Sequence, residues 1–145
     1  MKPIFCAAAA VFSAASSIAC AQAATPVPSD IAGIWTTKDS EFNGQALVKG
    51  QALYLDTDGI GASVVGNGSE VLGVKLVVTA YNKDTNTLSV EMTESRNIIV
   101  HTGMIYDPVK KLLSSKMDPT QKFERRFEEV SAQVRSSLGL EAKAK

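Results

Sequence analysis

Ile31-Ala32-Gly33-Ile34-Trp35-Thr36-Thr37-Lys38 is the stretch whose reading decides the fold. It holds the only tryptophan of the chain and follows a segment marked by Pro26 and Pro28. β-Branched and aromatic residues suit a pleated, half-buried surface, so residues 31–38 read as a first strand. The proline-bearing residues 24–30 read as an extended, mobile spacer leading into it.

Working outward, short apolar runs alternate with turn signals, as in an antiparallel meander. Residues 45–56 end in the apolar run Leu53-Tyr54-Leu55. Asn43-Gly44 precedes them and Asp56-Thr57-Asp58-Gly59 follows, and these residue types accept the backbone angles of tight turns. Residues 60–65 form a short strand of small residues. Asn67-Gly68-Ser69 is a loop that also matches a glycan acceptor in form. In residues 71–81, Leu72, Val74, Leu76, Val78 and Ala80 share one face, with Gly73, Lys75, Val77, Thr79 and Tyr81 opposite. Leu88, Val90 and Met92 point inward from residues 87–94. Along residues 98–106, Ile98, Val100, Thr102 and Met104 share one face and Ile99, His101, Gly103 and Ile105 the other. Residues 112–117 form another short strand.

Tyr81-Asn82 with Leu88-Ser89 is echoed by Tyr106-Asp107 with Leu113-Ser114, an offset of 25 residues. Each copy is a strand end, a turn opened by Asn or Asp, and the start of the returning strand. That is how a meander in which each strand pairs with the next is written.

Beyond Pro119 two patterns compete. Phe123, Phe127, Val130, Val134 and Leu138 recur at helical spacing, and Gly139 is a suitable stop. A barrel also needs a closing strand to remove its edges. Closure favours a last strand over residues 122–126, running into a helix over about 128–138; residues 119–127 admit either reading. The fold expected is mainly β: a small antiparallel up-and-down β-barrel of about seven to eight strands with a C-terminal α-helix. It is a single domain over residues 31–140, with a frayed tail at 141–145.

Residues 1–23 have the layout of a signal peptide: Lys2, an apolar run over 4–15 too short to span a bilayer, and Ala21-Gln22-Ala23 before the cut. The mature chain then starts at Ala24 and is periplasmic or secreted. Ser17-Ile18-Ala19-Cys20 offers a second reading, a lipoprotein anchored through Cys20. Both cysteines, Cys6 and Cys20, fall in this leader, so the exported domain has no disulfide and depends on its own core. The 15 basic and 15 acidic residues balance, which gives no support for nucleic acid as partner. No segment of the mature chain is long and apolar enough to cross a membrane as a helix.

Gly33-Ile34-Trp35 on a first strand, followed by a meander and by Arg125-Arg126 on a last strand, resembles the lipocalin-like, or calycin, barrels. It looks like the small exported bacterial proteins of unknown function that carry such a barrel. In that superfamily a Gly-x-Trp packs against an arginine of the last strand and closes one end. The resemblance implies that Gly33 and Trp35 form the first motif and that Arg125 or Arg126 supplies the arginine. A guanidinium can stack on an indole face and still donate to nearby carbonyls.

The remaining chemistry is sparse. His101 is the only histidine and reads as a surface or hydrogen-bonded residue rather than a catalyst. No Gly-x-Ser-x-Gly elbow is present. Asp56-Thr57-Asp58-Gly59 resembles the start of a calcium loop, but Ile60 stands where a third ligand is required. Glu128-Glu129 and the pair Glu91 and Glu94 read as solvated carboxylates. Lys122, Arg125 and Arg126, interleaved with Glu124, Glu128 and Glu129, read as a salt-bridged surface. No catalytic, metal or cofactor site is expected, and the protein is expected not to be an enzyme. The positive feature is an apolar interior, with Leu76, Val78, Val90, Met92, Val100 and Met104 as candidate cavity residues. Two functions fit: a barrel binding a small apolar or amphipathic ligand, or a packed cell-envelope module that docks a protein through its helix face.

Overall fold

The computed structural model describes residues 23–94 and 98–140. Residues 1–22, with Cys20 and nearly all of the segment read as a signal peptide, and the tail at 141–145 lie outside these residues. Nine strands follow in order: β1 (Gly33–Thr36), β2 (Glu41–Asn43), β3 (Ala46–Leu55), β4 (Ile60–Asn67), β5 (Val71–Asn82), β6 (Thr87–Glu94), β7 (Ile98–Asp107), β8 (Leu112–Ser115) and β9 (Lys122–Phe127); helix α1 (Ala132–Ser137) comes last. From β3 to β9 each strand pairs antiparallel with the next, and β1 pairs with both β9 and β3. The result is a closed eight-stranded antiparallel barrel, with β2 added outside β3. Closure leaves no ring strand with an unpaired edge.

The alternation along the strands makes two apolar layers. Trp35, Leu53, Leu76, Val78, Val90 and Phe123 belong to the interior cluster, which also takes in Leu88, Met104, Tyr106 and Leu113. The opposite faces of β1, β3 and β4 form a second cluster around Ile34, Tyr54 and Val64. It is covered by Phe42 of β2, Phe127 of β9, and Val130, Val134 and Leu138 from the C-terminal segment. The tyrosine is pinned under this cover: its hydroxyl donates to the Gln45 carbonyl at 2.6 Å and accepts from the Leu47 amide at 3.0 Å.

The structure revises several boundaries. The first strand is shorter than expected because Ile31 and Ala32 turn instead, their amides donating to the Pro28 carbonyl at 3.0 and 3.1 Å. The segment read as a mobile spacer is tied down: Thr25 N–H donates to Val78 O at 2.7 Å, and Val27 N–H to Thr57 O at 3.0 Å. Val27 is buried against the interior cluster. The helix begins late, because the Ser131 hydroxyl caps it by accepting from the Val134 amide at 3.2 Å; residues 128–130 lead to it without helical structure. It ends at Gly139, where φ is +75°, and the Leu140 amide reaches back to the Arg135 carbonyl at 2.9 Å. Phe123 does not share the helix face; it is part of β9 and points into the barrel.

A register shift between Val78 and Ala80 corrects the inward set on β5. The extra residue of a bulge flips the alternation beyond it. Ala80 therefore ends exposed, and Tyr81, expected outside, packs against the core opposite Leu88. At the other end of β5, Leu72 keeps the face of Leu76 but lies beyond the packed section and is 74% exposed.

The 25-residue echo is a shared turn design. Asn82 Oδ1 accepts from the amides of Asp84 and Thr85 at 2.9 and 3.3 Å, and Asp107 Oδ1 from those of Val109 and Lys110 at 3.0 Å each. Four residues after each, Asn86 and Lys111 take left-handed φ angles of 54° and 57°. The amide donors also hold the Asp107 carboxyl below its usual range.

Candidate functional site

The two ends of the barrel differ. At one end, Gly33 takes φ +132°, and a side chain there would collide with the Phe127 carbonyl. Beside it the β1–β9 register shifts between Ile34 and Trp35, which sets Trp35 opposite Arg125. The Arg125 guanidinium lies 5.9 Å from the Trp35 ring centroid. Its Nη2 donates to the carbonyls of Ser29, Ala32 and Glu128, at 2.6 Å to Ala32 and 3.2 Å to Glu128, and its Nε donates to Ala32 at 3.1 Å. The indole N–H donates to the Ile31 carbonyl at 2.8 Å, and Tyr106 meets the indole edge-on at 5.9 Å. Together they bind the N-terminal segment across this end and shut it. Desolvation is the main cause of the raised Tyr106 pKa; the Asp30 charge adds to it and the Arg125 charge opposes it.

Arg126 plays no part in this closure. It stacks outside the barrel on Phe42, 4.9 Å from the ring centroid. Neither arginine forms an ion pair among the described residues, so the expected salt-bridged surface is replaced by carbonyl donation and ring stacking.

At the opposite end the interior is not filled. A cavity of about 140 Å³ lies among β3, β4, β6, β7, β8 and the approach to β9. Its apolar walls are Leu53, Met92, Val100, Met104, Met117 and Phe123. Three of the six expected cavity residues, Met92, Val100 and Met104, therefore border it. The others do not: Leu76, Val78 and Val90 are at most 2% exposed and belong to the packed core. Ser63, Thr102, Ser115, Gln51 and Gln121 supply polar groups. The Gln121 amide donates to Gln51 Oε1 at 2.8 Å, and the Ser115 hydroxyl accepts from the Met117 amide at 3.1 Å. Thr102 Oγ1 is shielded from solvent and has no partner, the one such side-chain atom among the described residues. No charged side chain lines the cavity.

Thr102 was placed on the inner face by alternation, but nothing local distinguished it from its neighbours. The two glutamines and two serines carried no sequence signal, because closure of the barrel brings them together from three strands and a loop.

Other candidates take structural places. His101 is exposed on the outer face opposite Glu91, with 3.6 Å between Nδ1 and Oε2. Asp56 and Asp58 stand in the β3–β4 turn and bind Arg135 of α1, at 2.8 and 2.7 Å. A larger surface depression of about 580 Å³ runs past Asp30, Lys110, Lys111, Glu124 and Arg126 at the shut end. These five side chains are exposed and of both signs, and Trp35, Tyr106 and Arg125 of the closure form the rest of its wall together with Pro108, Leu112 and Glu128. Among the described residues no three His, Cys, Asp or Glu side chains gather in a way that could hold a metal. No helix among them is long and apolar enough to cross a membrane.

Comparison with protein families, with curated proteins and with solved structures finds no match to this chain.

Proposed function

We propose that this chain is an exported, non-enzymatic barrel of lipocalin-like kind that holds a small apolar or amphipathic molecule at its open end. The observation that carries the reading is the unfilled cavity of about 140 Å³ beneath an open mouth, in a barrel whose other end is shut by Trp35 and Arg125. Natural cores are close-packed and leave few voids, so a void at the one accessible end is a place for a ligand. An engineered apolar cavity of roughly 150 Å³ holds one benzene molecule, while drug-sized pockets begin near 300 Å³. The cavity therefore takes one ring or a short chain end, and the rest of the molecule emerges past Met117, which is 74% exposed.

Export is part of the proposal and rests on the leader: cleavage before Ala24 gives a periplasmic or secreted protein, and lipidation at Cys20 gives an anchored one. The alternative, an envelope protein-interaction module, loses its main support. The apolar helix face that was to dock a partner packs on β1, β3 and β4 of its own barrel.

The test is a two-dimensional NMR titration with benzene. Amides of β6, β7 and β8 around the cavity should shift saturably, and Met92→Trp, which fills the space, should abolish the shifts. No saturable shift in the wild type would remove the binding reading.

A further inference from the structure

Resting on that reading, we infer that the buried end of the ligand is a neutral carboxamide or lactam, and that Gln51 and Gln121 recognise it. β1 ends at Thr36, which pairs with Ala52 of β3 on one side and Glu124 of β9 on the other. Past that point the two glutamines span the gap between β3 and the approach to β9, the Gln121 side chain donating to Gln51 Oε1 at 2.8 Å. Both backbones are held in place. The Gln51 carbonyl accepts from the Thr37 amide at 3.1 Å, and the Gln51 amide donates to Ser40 Oγ at 3.2 Å. The Gln121 amide donates to the Asp118 carbonyl at 2.9 Å.

A clasp across the gap needs only that one bond, and it leaves a donor and an acceptor over. Among the described residues Gln51 Nε2 and Gln121 Oε1 have no partner, and neither is shielded from solvent. Both side chains line the cavity, so a ligand in it can reach them. Turning both amides over exchanges the parts of the two residues and leaves the same edge, one donor and one acceptor. The Ser63 hydroxyl also lines the cavity without a partner among the described residues and can take either part. An open donor and an open acceptor on different side chains are answered together by N–H beside C=O, which a carboxamide or lactam carries. A group without those atoms would displace water from the glutamines and lose affinity, and a site that hydrogen-bonds its ligand rejects the analogue that cannot. No Lys, Arg, His, Asp or Glu lines the cavity, so a carboxylate or phosphate there would lose its hydration without a counter-charge. The volume, about 140 Å³, limits the buried part to one six-membered ring.

The experiment compares benzene with 2-pyridone, a six-membered ring with N–H beside C=O, by NMR titration on the wild type, Gln51→Met and Gln121→Met. Methionine matches glutamine in length and lacks the amide. The expected result is a loss of about tenfold in 2-pyridone affinity in either variant, the worth of one hydrogen bond, with benzene affinity unchanged. In the wild-type complex, nuclear Overhauser contacts should join the side-chain amide protons of Gln51 to the 2-pyridone ring. Unchanged 2-pyridone affinity in the variants, or an equal loss for both probes, would reduce the pair to a clasp and overturn the assignment. So would bound 2-pyridone without contacts to Gln51, which needs no variant to fold. Benzene bound by the wild type and 2-pyridone not would overturn this inference and leave the binding reading standing. Failure of both probes to bind the wild type would overturn the binding reading and this inference with it.

Discussion

Replacing Arg125 by alanine should loosen the shut end of the barrel and cost about 3 kcal/mol of stability. The figure follows from the contacts. The side chain donates to the Ala32 carbonyl through both Nη2 and Nε, at 2.6 and 3.1 Å, and also to Ser29 and Glu128. Hydrogen bonds from a charged donor are worth about 1.5–3 kcal/mol when well buried. Arg125 is half-buried, so about 1 kcal/mol for each of the two best carbonyls is reasonable. Stacking on Trp35 at 5.9 Å adds about 0.5–1 kcal/mol. For a domain of this size the total lowers Tm by about 10 °C. The assay is urea unfolding followed by Trp35 fluorescence, with the midpoint falling at unchanged slope. Arg125→Lys keeps the charge but not the planar fork and should recover less than half the loss. Arg126→Ala, which removes only an outer stack on Phe42, should cost less than about 1 kcal/mol. A loss below about 0.5 kcal/mol in Arg125→Ala, or a lysine variant as stable as the wild type, would refute the closure account.

Further predictions follow from single contacts. Gly33→Ala meets both a positive φ and the Phe127 carbonyl, and should cost about 2–4 kcal/mol by the same urea assay. Arg135→Gln breaks the bridges to Asp56 and Asp58; these are partly exposed, so the loss should be about 1 kcal/mol, smaller in high salt, and read as faster amide exchange along α1. Burial raises the pKa of both Tyr54 and Tyr106. The unfolded phenols ionise first, so the stability these groups contribute is complete below about pH 10. It is lost as the pH rises from there through the folded-state pKa values. Urea midpoints between pH 8 and 11 should therefore be flat and then fall, and Tyr54→Phe should flatten the fall. Export as proposed predicts an intact mass that begins at Ala24; a lipid on Cys20 would instead move the chain onto a membrane.

How much of this was legible depended on whether a feature is local. The alternation of Leu88, Val90 and Met92 and the Asn82 and Asp107 turns are written in consecutive residues and could be read directly. The bulge at Val78–Ala80 could not, since one extra residue leaves the composition unchanged while moving Tyr81 inward. The short strand β2 escaped because three residues give no period; it exists because Phe42 packs edge-on against Phe127, ring centroids 5.7 Å apart. The helical spacing from Phe123 to Leu138 joined residues of two layers: Phe123 faces the barrel interior, whereas Phe127, Val130, Val134 and Leu138 cover the outer cluster. Gly33 and Trp35 marked the closing motif, but choosing Arg125 over Arg126 required the β1–β9 register. The cavity was overdrawn: a list of inward apolar residues cannot say which of them pack against each other. That depends on the barrel's cross-section, and only Met92, Val100 and Met104 reach the unfilled end.

Native mass spectrometry of the protein purified from its own host tests the proposed ligand-holding barrel most directly. The account predicts a reproducible non-covalent adduct on the wild type, released on denaturation and missing from Met92→Trp. The bare polypeptide mass for both proteins would contradict it.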